Sequence, residues 1–189
     1  MLAVESASLT LKSDDGEFQI RPWQERDANG LLDAARESLD SVGRWLPWCH
    51  ADYRLSDATA WIEHCTSAWR AREHFTFAIV DPATEEPIGG IGINQVNRMH
   101  RSANLGYWVR QSRQGQGIAA SVAKPVARFG FERLGLMRLE IVTLPDNSPS
   151  RRTAEKLGAR FEAIARQRLW MHEQAMDAAV YALIPQDMD

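Results

Sequence analysis

The chain has 189 residues, 44% hydrophobic and 25% charged, with a formal net charge of −3 at pH 7. This allows one ordinary globular core without metal or disulfide staples and leaves no basic footprint for direct nucleic-acid binding. No apolar run approaches the ~20 residues of a membrane helix, and Met1-Leu2-Ala3-Val4-Glu5 lacks a leader pattern. Only Cys49 and Cys65 are present, so a soluble protein of the reducing cytoplasm is expected.

No repeat, charge block or Pro/Gly-rich linker divides the chain. Residues 1–15 are polar and read as an arm, and 16–189 as one domain. Leu9-Thr10-Leu11 and Phe18-Gln19-Ile20 flank Asp14-Asp15-Gly16, the pattern of a short hairpin. Arg26-Asp27 opens a helix to about Ser38. Ser56 is placed to cap a second, which stacks Trp61, Ile62, Cys65 and Trp69 on one face.

Residues 75–80 and 87–96 change to strand patterning around an Asp81-Pro82-Ala83-Thr84 turn, and Ala103 to Val109 makes a third strand. Helical spacing returns from Gly117 to about Leu134 through Ile118, Val122, Val126 and Phe129. Pro125 inside that helix removes an amide donor, costs about 3 kcal/mol and predicts a kink. Leu139-Glu140-Ile141-Val142 reads as a buried strand. Ser148 as N-cap, Pro149 at the first helical position and Gly158 past the end bracket a short helix. Strands near 160–164 and 178–184 finish the chain. The order predicts an α+β fold with a single mixed, mostly antiparallel twisted sheet flanked by helices.

Gln114-Gly115-Gln116-Gly117-Ile118-Ala119 lies between a strand and a helix. Its glycines let main chain approach a ligand closely, and the helix start offers free amides and a positive dipole end to a phosphate. A plain connecting turn is the bland alternative. Gly115-x-Gly117-x-x-Ala120, with Glu140 about 20 residues on, also fits a dinucleotide fingerprint. That fingerprint opens a series of parallel strand-helix-strand units, whereas only about 70 residues follow here and they end in a hairpin pattern.

Downstream, Asn147-x-x-Ser150-x-x-x-Ala154-x-x-x-Gly158 sets Asn147, Ser150 and Ala154 along one helix face. Together with Gln114-x-x-Gly117-x-Ala119, this resembles the superfamily of amine N-acetyltransferases that use acetyl-coenzyme A (GNAT, the acyl-CoA N-acyltransferase fold). The match is closest to the RimJ/RimL type, which acetylates ribosomal-protein N-termini. Trp45-Leu46-Pro47-Trp48, Leu105-Gly106-Tyr107-Trp108-Val109 and Ala178-Ala179-Val180-Tyr181-Ala182 resemble the same group, so the likeness covers roughly residues 18–184.

The resemblance implies acetyl-CoA as co-substrate, no metal, and an acceptor that is a protein N-terminal α-amine or a small-molecule amine. A non-catalytic acyl-CoA sensor is the alternative from another class, and a homodimer is allowed. By the resemblance, main chain at Gln114, Gly115, Gln116, Gly117, Ile118 and Ala119 holds the pyrophosphate. Trp108 and Val109 lie on the strand that admits the pantetheine arm, which Asn147 bonds. Ser150 donates to the leaving thiolate, since Ala154 stands where many members carry an acidic tyrosine; an ordinary first-turn serine is the bland alternative. Trp45, Trp48 and Asn94 line the acceptor side, with core packing an open alternative for the tryptophans. Arg113 or Arg151 is the candidate for the 3′-phosphate.

The resemblance also predicts two carboxylates that are absent: Leu169 holds one position and Asn104 the other. Glu162 and His100 are the other candidate bases. A free α-amine, with pKa about 7.7–8.0, loses its proton near pH 7.4 for under ~1 kcal/mol, whereas a lysine at about 10.4 costs ~4 kcal/mol. A site without a carboxylate therefore suits an α-amine. Cys49-His50 and His64-Cys65 match no zinc spacing.

Overall fold

The computed structural model describes residues 9–171 and 173–188. Residues 1–8 of the expected arm lie outside them. The rest of that arm is partly ordered, because strand β1 (Leu11–Lys12) pairs antiparallel with β2 (Gln19–Pro22) across the Asp-Gly turn. Two helices follow, α1 (Ala28–Glu37) and α2 (Leu55–Ala71), then a meander of β3 (Phe75–Val80), β4 (Pro87–Asn97) and β5 (Ser102–Val109). After α3 (Ile118–Glu132), β6 (Arg138–Thr143), α4 (Ser148–Leu157), β7 (Arg160–Met171) and β8 (Gln174–Leu183) complete the fold. One eight-stranded sheet runs β1-β2-β3-β4-β5-β6-β8-β7. Among the described residues only β5 and β6 are parallel neighbours, so the architecture is α+β with a mixed, mostly antiparallel sheet.

Strand alternation divides the core between the two sheet faces. Ala78 and Val80 of β3 pack under α1 and α2 with Leu31, Ile62 and Cys65. Phe75, Phe77 and Ile79 point the other way, into a larger core with Val122, Val126 and Phe129 of α3. Trp69 reaches that core from the end of α2, meeting Phe75, Phe77 and Phe129 at centroid distances of 5.0, 5.2 and 6.0 Å.

Several boundaries differ from the sequence pattern. The cap of α2 is Arg54, whose N–H donates to Asp57 at 2.8 Å, so Ser56 lies inside the helix. Ile62, Cys65 and Trp69 are buried as expected, but Trp61 is 41% exposed because it sits at the edge of their stripe, about 100° around the helix from Ile62. The cap of α4 is Asn147, not Ser148; its side chain accepts from Ser150 N at 3.2 Å. β7 runs to Met171, well past the expected stop near residue 164, and β8 begins at Gln174 rather than near 178.

Helix α3 continues through Pro125 to Glu132. The proline has no N–H for the Ser121 carbonyl four residues back. That carbonyl accepts instead from Asp14 N at 2.9 Å, so the lost helical bond becomes the tie between α3 and the first hairpin.

A buried ion pair locks β2 to the start of α1. Arg21 donates to both oxygens of Asp27 at 2.7 and 2.9 Å, and the two residues are 6% and 2% exposed. Asp27→Ala strands a buried guanidinium and should cost about 3–5 kcal/mol. Arg26→Ala, which breaks the exposed pair with Glu85, should cost under about 1 kcal/mol. Urea unfolding of both variants checks this; equal losses would contradict it.

Candidate active site

β5 and β6 are bonded only where Ser102–Asn104 face Arg138–Glu140. Beyond Asn104 the strands part, and a groove of 1190 Å³ crosses the sheet at that split. Its walls come from the loops around α1, the split strands and the first turns of α3 and α4.

One end of the groove is an anion cradle. Gly115 and Gly117 have φ of +78° and +80°, and a Cβ on either would meet nothing within 4 Å. The amides of residues 115–119 have no main-chain partners among the described residues, and the dipole of α3 starts behind them. These features fit a diphosphate. Gln114, Gly115, Gly117, Ile118 and Ala119 line the groove; Gln116 does not, and its side chain accepts from Arg113 at 3.3 Å. Gln114 braces the loop by donating to Val109 O at 2.8 Å and to Ser41 Oγ at 3.2 Å.

A latch from α1 fixes the approach to this loop. Glu37 accepts Arg110 Nε at 2.9 Å and takes a second guanidinium bond, besides the Ser112 N–H and hydroxyl. Ser38 Oγ accepts Gln111 N at 3.0 Å. No sequence motif marks Glu37, because its partners lie more than 70 residues away.

On the α4 side, Ser150 faces Tyr107 of β5. The tyrosine hydroxyl donates to Ser150 O at 3.0 Å and lies 3.4 Å from Ser150 Oγ. Burial pushes Tyr107 up to about 12, so it stays protonated. Tyr181 of β8 pins the same helix from below, accepting from Arg151 and donating to Glu155, both at 3.0 Å. Asn147 lines the groove, and the capping bond occupies its oxygen.

Of the candidate phosphate cations, Arg113 lines the groove. Arg151 is engaged by Tyr181 and Pro145 O, and Arg113 by Asp81 at 2.8 Å. Arg152 and Lys156 line the groove and form no ion pair among the described residues.

The opposite side of the groove is aromatic and neutral near the split. Trp48 packs edge-on against Trp108 at 5.2 Å and Tyr53 at 5.6 Å, and Trp45 lies beside them under the Arg44 guanidinium at 4.6 Å. Asn94 and Asn104 are joined by an amide bond of 3.0 Å. Trp45, Trp48, Asn94, Asn104, Trp108, Val109, Ser150 and Leu169 all line the same groove. The candidate bases Glu162 and His100 do not: Glu162 pairs with Arg138, and His100 is exposed in the β4–β5 turn. The lining carboxylates are Asp40, Asp57 and Asp146.

A split sheet with an anion-cradling helix start on one side and an aromatic chamber on the other defines an enzyme that brings a long phosphorylated acyl carrier to a second substrate. The Acetyltransferase (GNAT) domain model matches residues 17–160, and the chain belongs to that family of N-acetyltransferases, which use acetyl-CoA. The uncharacterized N-acetyltransferase YoaA of Bacillus subtilis is 28% identical over 165 residues, 87% of this chain and 92% of the relative. The ribosomal-protein-serine acetyltransferase of Escherichia coli is 29% identical over 100 residues, 53% of this chain and 56% of the relative. The structure of Mycobacterium smegmatis RimJ in complex with CoA-disulfide is similar with a TM-score of 0.80 at 25% identity, covering 94% of this chain and 87% of that one. No helix of the described residues is long and apolar enough to cross a membrane.

The latch carries a pH signature. Arg110 holds the Glu37 carboxyl down to about 2 from an ordinary 4.5. A depressed carboxyl stabilises the fold fully above its unfolded value and loses that contribution as pH falls through the folded one. Glu37→Gln should therefore show a constant stability deficit above about pH 5 that shrinks as pH falls toward about 2. Urea midpoints measured across that range check it; a deficit independent of pH would contradict it.

Proposed function

We propose that the chain transfers the acetyl group of acetyl-CoA to the N-terminal α-amine of a protein, of ribosomal type, in the cytoplasm. The observation that carries this reading is the pair of uncharged residues at the split, Asn104 and Leu169, at positions where carboxylates were expected. Near neutral pH an α-amine supplies its free base for under ~1 kcal/mol, while a lysine without a base costs ~4 kcal/mol. The name of the E. coli relative, a ribosomal-protein-serine acetyltransferase, supports a ribosomal-protein acceptor.

Acetyl-CoA supplies the activated thioester. The free amides of residues 115–119 hold its diphosphate, and Arg152 and Lys156 attract its 3′-phosphate. The unpaired edge of β5 offers a main-chain N–H to the carbonyl oxygen as charge develops there. Ser150 Oγ donates to the departing sulfur, with Tyr107 fixing the serine from across the split. The acceptor amine enters along Trp45 and Trp48, and water carries its proton out.

Thiol release from acetyl-CoA with a panel of N-terminal peptides, lysine side-chain peptides and small amines tests the reading. Peptide α-amines should react best. Preference for lysines or polyamines would overturn the acceptor assignment, and tight coenzyme A binding without turnover would favour a sensor.

Ser150→Ala should lower kcat about 100-fold or more with little change in the KM for acetyl-CoA; an unchanged kcat would remove its role. Gly117→Ala places a Cβ at a left-handed position beside the diphosphate. The free loop relaxes away from φ +80°, and binding, which needs the left-handed turn restored, should weaken by about tenfold, in line with the roughly 1–2 kcal/mol that a non-glycine residue costs there. Calorimetric titration checks this.

A further inference from the structure

Two buried threonines line the groove, Thr76 and Thr143, which are 8% and 7% exposed. Neither hydroxyl forms a hydrogen bond among the described residues, but their surroundings differ. Thr76 Oγ1 is sealed from solvent, whereas Thr143 Oγ1 is not. Because Thr143 is otherwise buried, its opening is the groove. The polar groups around it are engaged: Tyr107 with Ser150, Asn147 with Ser150 N, and Thr153 with Pro149 O at 3.0 Å. Valine has the same branched shape and suits a strand as well. Packing therefore gives no reason for a hydroxyl at 143, and one left unbonded in a filled groove is unfavourable. Water satisfies it while the groove is open; an occupant that displaces the water must supply a partner.

The position of Thr143 along the split identifies that partner. β5 and β6 pair one for one from Ser102 and Arg138 to Asn104 and Glu140. Carried past the split, the same register sets Tyr107 level with Thr143. Strand alternation puts both on one face, since Ala103 and Leu105 precede Tyr107, and Leu139 and Ile141 precede Thr143, all four in the core under α3 and α4. From that face Tyr107 reaches Ser150, its hydroxyl 3.4 Å from the serine Oγ. Thr143 and Ser150 thus flank one level of the groove, the first from a strand and the second from a helix. The amides of an acyl carrier's arm suit the free strand edges, whose main-chain groups point within the plane of the sheet. The Thr143 side chain stands out of that plane, on the side from which Ser150 meets the sulfur.

We propose that Thr143 is a second catalytic hydroxyl, which donates a hydrogen bond to the sulfur of acetyl-CoA as the C–S bond breaks. The amine nitrogen bonds to the carbonyl carbon, the sulfur takes the electron pair of the C–S bond, and the proton of the amine leaves through water. Thr143 keeps its own proton and holds the thiolate from β6 while Ser150 holds it from α4; solvent reprotonates the sulfur on release. A hydrogen bond to a charged group is about twice as strong as one between neutral groups. The contact therefore tightens as charge collects on sulfur, the condition for raising kcat. This rests on the placement of the sulfur beside Ser150 above and holds for any acceptor amine.

The test is calorimetric binding of coenzyme A and of desulfo-coenzyme A, in which hydrogen replaces the thiol. It is done at about pH 9.5, where a thiol of ordinary pKa, about 8.5, is ionised. The wild type should prefer coenzyme A. Thr143→Val should reduce that preference by about fivefold or more, with desulfo-coenzyme A bound as before. Thr143→Ser, which restores a hydroxyl, should recover it. Because each preference comes from one preparation, it does not depend on the folded fraction. In turnover, Thr143→Val should lower kcat by about tenfold with little change in the KM for acetyl-CoA. Thr143→Ala serves if the valine variant does not fold.

A preference that Ser150→Ala lowers and Thr143→Val leaves unchanged overturns this proposal and keeps the Ser150 reading intact. Equal weakening of both ligands in Thr143→Val overturns it too, by assigning the hydroxyl to the arm of the carrier. A preference that neither variant alters removes Ser150 and Thr143 together from the sulfur.

Discussion

The parting of β5 from β6 is the constraint from which the rest follows. A sheet normally satisfies its main-chain groups by pairing along each strand. Here three residue pairs join the two strands, and beyond Asn104 they separate within the sheet. The exposed strand edges are suited to an extended ligand that carries amides of its own. They also join the two faces of the sheet, so a donor held near α3 and α4 can meet an acceptor held under α1 and α2. A continuous sheet with the same residues would keep the two apart.

An opening of this kind persists only if its edges are held from outside. α4 is tied to β5 through Tyr107 and to β8 through Tyr181, so the helix beyond the split cannot collapse onto it. The loop between β5 and α3 is held to α1 by Glu37 and Ser38. α3 is tied in turn to the first hairpin through the carbonyl that Pro125 releases. Each tie joins segments distant in sequence, which gives the groove a rigid frame while its floor stays open.

The sequence carried those parts of the fold that have local causes. The change from helical to strand period near Phe75 and back near Gly117, and the glycines of the α3 loop, follow from rules that act within a few residues. What it could not carry depends on partners. Ser148 and Asn147 are both good caps, and only the bond to Ser150 N decides between them. The outer half of β7 is solvated on both faces, so Arg166, Gln167 and Arg168 show no alternation to mark a strand. Arg113 and Arg151 carry the expected charge, and their partners Asp81 and Tyr181 come from other elements that no local pattern marks. Glu37 and Tyr107 escaped notice for the converse reason, since their roles come from residues 73 and 43 positions away.

The uncharged residue at position 104 bears on the acceptor that the groove suits. A carboxylate at residue 104 would lie half-buried beside Asn94 and Gly106, where desolvation raises its pKa and opposes its charged form. It would help most with an acceptor that arrives charged, such as a lysine, and that acceptor must itself lose its hydration to enter. An amide pair has no charge to desolvate. On the proposed reading it accepts an amine that has already lost its proton in water, so selectivity between α-amines and lysines comes from the acceptor's own titration and not from the width of the pocket. Shape is then left to the aromatic walls.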